Sequence, residues 1–138
     1  MKKRSFLSHG SINITVDNDV IIIDIGGPCN TEFFERMAEQ LALIRPQVNI
    51  NNYTGLVILR NEALATPEAM AYFTGYLKTV QVRAVAINLQ YADTPSITQD
   101  MCKKAYTESG VRHQFFFDNL SAKLWLRECM AIPEQSIQ

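Results

Sequence analysis

Four times along this chain a short apolar run is followed by a stretch in which apolar residues recur every three or four positions. The first kind of run reads as a buried strand, the second as a helix with one apolar face. Strands that alternate with helices call for parallel pairing, because parallel neighbours need long crossovers. Ahead of the first unit, Ile12, Ile14 and Val16 alternate with polar residues, so Ser11–Val16 reads as a half-exposed edge strand. Asp17-Asn18-Asp19 is a turn cluster, and Val20–Ile25 is nearly all β-branched, as in a strand buried on both faces. These two make a β-hairpin. The expectation is an α/β fold with a five-stranded mixed sheet: an N-terminal β-hairpin followed by αβαβαβα, four helices covering the sheet.

Capping chemistry places the helices. Asn30 is the N-cap of a helix over about Thr31–Val48, with Phe33, Met37, Leu41 and Ile44 as its buried stripe and Pro46 ending or kinking it near Arg45. Gly55–Arg60 is the third strand. Thr66-Pro67-Glu68 opens the second helix with a hydroxyl cap, a proline and an acid, and Met70, Phe73, Leu77 and Val80 line its apolar side. Val82–Leu89 is the fourth strand. Thr94-Pro95 repeats the cap chemistry for a third helix that stops at Gly110. Arg112–Phe117 is the fifth strand, in which alternation sends Phe116 to the face opposite Phe115 and Phe117. Asp118 or Asn119 caps the last helix, where Ala122, Trp125, Leu126, Cys129 and Met130 share one face.

Composition narrows the class. The 138 residues are one domain's length, with the core expected at about 11–130. A net charge of −1 supplies no field for nucleic acid or an anionic membrane. Lys2-Lys3-Arg4 is the one basic run, and Ser5–Gly10 after it holds no apolar segment of a secretory signal. Val20–Ile25 is too short to span a bilayer, so no stable membrane insertion is expected. Cys29, Cys102 and Cys129 are few, odd in number and far apart, which is no disulfide framework and agrees with a cytoplasmic protein.

The order and length of these elements resemble the STAS family, best known for bacterial anti-sigma-factor antagonists, over about residues 11–130. The most specific likeness is Phe117-Asp118-Asn119-Leu120-Ser121-Ala122-Lys123-Leu124-Trp125-Leu126, since members of the antagonist-like branch often close with an aromatic, an acid, then an alanine before Trp-Leu. Arg83-Ala84-Val85-Ala86 looks like that branch's penultimate core strand. Phosphorylatable antagonists carry Asp-Ser-Ser-Gly at the helix after their third strand. Here the region reads Arg60-Asn61-Glu62-Ala63-Leu64-Ala65-Thr66-Pro67-Glu68-Ala69, and Thr66 is its only hydroxyl. The resemblance therefore implies the divergent branch, for which binding of a small apolar molecule has been suggested and no enzyme activity is expected.

Candidate chemistry is sparse. Cys29 follows a strand and precedes a helix, a place where a thiol can be activated. A phosphatase loop needs an arginine six positions on, but Glu35 stands there and Arg36 is one too late. Gly26-Gly27 is a candidate phosphate cradle, although no P-loop or complete G-x-G-x-x-G accompanies it and a tight turn explains the pair. His9 and His113 have no local metal-binding companion, and no G-x-S-x-G elbow is present. No metal and no cofactor is implied. Gly26, Gly27, Asn30, Arg60, Asn61, Glu62, Thr66, Asn88, Tyr91 and Asp93 gather where strands end, the usual ligand crevice of open α/β sheets. They are the candidate ligand- or partner-binding set. Three readings remain: a non-enzymatic binding module for a small apolar molecule, a partner-switching regulator working through protein contacts around the second helix, and a thiol enzyme using Cys29. Monomer and homodimer are both compatible with the sequence.

Overall fold

The computed structural model describes residues 10–132. Lys2-Lys3-Arg4, His9 and the tail from Pro133 lie outside the described residues. The elements follow in the order β1 (Ser11–Asp17), β2 (Val20–Gly26), α1 (Thr31–Ile44), β3 (Thr54–Asn61), α2 (Pro67–Leu77), β4 (Val85–Ala92), α3 (Pro95–Ser109), β5 (His113–Phe116) and α4 (Asn119–Ala131). They form one five-stranded sheet in the order β1-β2-β3-β4-β5, with β1 antiparallel to β2 and every other pair parallel. The expected mixed sheet with four helices is what the chain builds.

Sequential strand order decides where the helices go. Each parallel crossover steps the same way across the sheet, and crossovers are right-handed. The three crossing helices must therefore share a face. Accordingly α1, α2 and α3 bury Phe33, Met37, Leu41, Ala69, Leu77 and Tyr106 in one core with Ile21, Ile23, Val57 and Ile87 of the strands. The last helix has no strand to reach and folds over the opposite face. There Ala122, Leu126 and Cys129 pack on Leu56, Ile58, Ala84 and Ala86. Phe115 joins the three-helix core and Phe116 the α4 core, as strand alternation requires.

Several local expectations are corrected. The first helix ends at Ile44, and Arg45–Gln47 form a 3₁₀ turn because Pro46 cannot continue an α-helix. The fourth strand is displaced to Val85–Ala92, with Arg83 held ahead of it by its N–H to the Tyr53 carbonyl at 2.9 Å. Thr94 precedes α3 without making the expected side-chain cap bond. Asp118 does cap α4, accepting from the Ser121 N–H at 2.6 Å. Phe117 lies past the end of β5 and is 57% exposed. Trp125 is half-buried at the side of α4 rather than enclosed, tilted against Phe116 with ring centres 5.7 Å apart and lying under Arg112.

Candidate functional site

The residues expected at the carboxyl ends of the strands are brought near one another, several of them with structural tasks. A ligand crevice in an open α/β sheet opens where strand order reverses, and this order never does. Gly27 adopts a left-handed conformation (φ 80°) and turns the chain out of β2, so it serves the tight turn. A side chain at Gly26 would lie 2.9 Å from Ser11 Oγ. Asn30 caps α1, its Oδ1 accepting from the Phe33 N–H at 2.8 Å, and Thr66 caps α2 through the Ala69 N–H at 3.1 Å. Asn61 (φ 57°) and Glu62 are exposed, and the Asn61 carbonyl accepts from the N–H of exposed Asp93 at 3.0 Å, tying two strand exits together.

Arg60 and Tyr91 meet on the α4 face of the sheet. The Arg60 guanidinium grips Asp24 with two bonds, 2.7 and 3.0 Å, and sits 4.4 Å over the Tyr91 ring. A register shift between Ile58 and Arg60 brings Tyr91 opposite Arg60. The Asp24 bond, first, keeps Arg60 firmly charged, raising its pKa. Asn88 lies inside β4 and is 0% exposed. Its amide donates to Asn119 Oδ1 at 2.8 Å and its oxygen accepts from the Gln90 N–H. That side chain joins β4 to the start of α4. His113 sits in edge strand β5, stacked on Tyr106.

Cys29 is buried beneath the β2–α1 loop, its Sγ directed at the Gly27 carbonyl at 3.5 Å. Burial pushes its thiol up to about 12, well above the ordinary value expected for an exposed loop thiol. Cys102 is buried as well and is likewise pushed up to about 12. Among the described residues no group of three or more His, Cys, Asp or Glu is placed to hold a metal ion. No helix among them is long and apolar enough to cross a membrane.

The concave site lies elsewhere, under the seam between α1 and α2 and towards the amino ends of the strands. A cavity of about 70 Å³ remains there. Its floor is Ile21, Ile23, Val57 and Val85 with Gly55 among them; Met37 and Leu41 of α1 and Phe73, Tyr76 and Leu77 of α2 form its walls. Gly55 explains the space. It occupies a core-facing position of β3 where its neighbours carry branched side chains, and a Cβ there would meet nothing closer than Val85 Cγ2 at 3.8 Å. A glycine within a strand commonly marks a place where a ligand comes close. Arg45, Phe73, Tyr76, Val80 and Val82 are the partly exposed lining residues, so the mouth is on their side. Arg45 Nη2 donates to Tyr76 Oη at 2.8 Å. A smaller void of about 30 Å³, bordered by Cys29 and Cys102, adjoins the cavity across Phe73, Ile25 and Val57, which line both.

None of these lining residues belonged to the expected set. The available signals were Gly55 opening an otherwise apolar branched strand, and an arginine at the end of a helix whose other inward residues are apolar.

No family model matches the chain, and no curated protein matches it significantly. Among solved structures the chain is similar to an uncharacterized protein of the DUF3478 family with a SpoIIAA-like fold from Shewanella loihica PV-4. The two are 18% identical with a TM-score of 0.61, over 91% of this chain and 99% of that one. That likeness shows the fold: this chain has the SpoIIAA-like, STAS-like architecture.

Proposed function

We propose that this SpoIIAA-like chain is a non-enzymatic binding module whose ligand is a small, largely apolar molecule held between α1, α2 and the sheet. One observation carries the reading: a cavity walled by Ile, Val, Leu, Met and Phe side chains that the packing leaves unfilled. Interiors are close-packed as a rule, so a void costs contacts unless something occupies it. Ligand sites are concave and mostly apolar with a few polar groups, which is the composition here. Catalysis by Cys29 finds no support: a buried thiol that stays protonated is a poor nucleophile. The partner-switching alternative has the surface beside Thr66 to offer, a groove between α2 and α3 lined in part by Pro67, Ala71, Gly75 and Met101.

Titration with hexanol, a neutral six-carbon probe, followed by methyl NMR, tests the reading. Shifts should concentrate on Ile21, Ile23, Leu41, Val57 and Val85 and disappear in Gly55→Leu, whose side chain fills the space. Shifts scattered over the surface, or none, overturn it. Native mass spectrometry of the purified protein would reveal a ligand already bound.

A further inference from the structure

Resting on the apolar-cavity reading, we infer that the ligand is an amphipathic monoanion: a short alkyl chain in the cavity and a carboxylate at its mouth, received by Arg45. Three observations lead there. Arg45 lines the cavity and is half-buried, and among the described residues it forms no ion pair. Its only side-chain bond among them is the one it donates to Tyr76 Oη, which leaves most of its five donors unused. The phenol of Tyr53, a second polar group on the lining, lies close enough that the Arg45 charge counteracts the rise burial imposes on its pKa, as it also does at Tyr76.

A guanidinium cannot shed its proton. Partly removed from water beside apolar walls, it is held at a cost that an anion would offset. A carboxylate fits that fork, accepting from Arg45 while Tyr76 or Tyr53 turns its O–H to donate. The ends of α1 and α2 oppose an anion with about half a negative charge each. Arg45 itself stands at the C-cap of α1, and its full positive charge outweighs the partial charge of that helix end.

The cavity sets the chain length. At about 10–15 Å³ for each water-sized occupant, 70 Å³ holds about five to seven. A methylene is close to a water in size, so the cavity suits about six carbons. Apart from Arg45 and the phenols of Tyr53, Tyr76 and Tyr106, the lining is apolar, which disfavours ligands with hydroxyls all along the chain such as sugars.

Hexanoate and hexanol share a chain and differ in the head group. Their dissociation constants, measured by methyl NMR near neutral pH with wild type, Arg45→Gln and Arg45→Lys, separate this inference from the one beneath it. Hexanoate should bind wild type more tightly than hexanol and weaken by about 10- to 100-fold in Arg45→Gln, the loss expected for hydrogen bonds to a charged group. Arg45→Lys should restore part of that loss. Hexanol should change by less than about twofold across all three proteins, which also shows that each variant is folded. If hexanol binds wild type as well as or better than hexanoate, or Arg45→Gln weakens both equally, the head-group inference fails and the apolar site survives. If neither probe binds wild type, both fail.

Discussion

Gly55→Ala should make the protein more stable and its binding weaker, two effects of opposite sign from one methyl. Alanine restricts the unfolded chain, which contributes about 0.4–1 kcal/mol where the native backbone accepts it. Gly55 has no positive φ and sits in regular pairing with Ile21 and Val85, so its conformation suits alanine. The added carbon would find Val85 Cγ2 at 3.8 Å and the Ile21 carbonyl at 3.9 Å, ordinary contacts without overlap. Burying it contributes about 0.8 kcal/mol more. The total is about 1–2 kcal/mol, or a rise in Tm of about 3–7 °C for a chain of this size. The methyl also takes space from a cavity of about 70 Å³. Excluding even one ligand carbon should weaken hexanol binding by about fourfold. Urea unfolding followed by far-UV circular dichroism reads the first effect as a higher midpoint at unchanged slope. A less stable variant would mean that the space above Gly55 is not open. A more stable variant with unaltered hexanol affinity would mean that the probe binds elsewhere.

Alkaline pH should destabilise the fold early. Cys29 and Cys102 are pushed from 9.0 up to about 12 by burial, so the folded protein keeps thiol protons that the unfolded chain gives up. Their contribution is complete below about pH 9 and is lost as pH rises towards about 12, by about 1.4 kcal/mol per pH unit for each thiol; Tyr106, raised by burial, acts in the same direction. Urea midpoints that stay level across that range would refute it. Thr66→Ala should cost about 0.5–2 kcal/mol, because it removes the bond to the Ala69 N–H, and should leave hexanol affinity unchanged; stoichiometric phosphorylation at Thr66 with loss of a partner would restore the regulator reading. Trp125→Ala should cost about 2 kcal/mol, below the 3–5 kcal/mol of an enclosed aromatic, since the ring packs on Phe116 yet remains half-exposed; a larger cost by chemical denaturation would contradict that placement.

The fold was legible because its signals are local. Period-two alternation at Ile12, Ile14 and Val16, the β-branched run from Val20 and the caps at Asn30 and Thr66 each concern a few neighbouring residues, and all four reappear as elements, although β2 is fully buried on one face and only partly on the other. The errors fall where tertiary packing decides. Trp125 shares a helical stripe with Leu126, but Leu126 faces the sheet while Trp125 rests at its margin, over the short edge strand. Asn88, at the end of the expected fourth strand, reads as a candidate ligand contact until burial and the partner Asn119 that α4 supplies account for it.

The cavity was illegible for a deeper reason, which also bears on what the fold is suited to do. It exists because Gly55 of β3, Leu41 of α1 and Phe73 of α2, far apart in sequence, leave a gap where they converge. No periodicity records the absence of an atom. The crevice rule depends on a reversal of strand order, and a monotone order with three right-handed crossovers has none. That same topology offers something else. Three helices laid side by side on one face produce two helix–helix seams over the sheet, and a seam whose underlying strand carries glycine is a pocket. The α1–α2 seam lies over the β2–β3–β4 centre with Gly55 beneath it and Arg45 at its rim. At the carboxyl ends, by contrast, Arg60 is engaged by Asp24 and Tyr91, and the Asn61 and Asp93 backbones bond to each other. A charge already bonded to an acid has less to offer a ligand than one without an acidic partner, and that difference favours Arg45 over Arg60 as the residue that meets an anion.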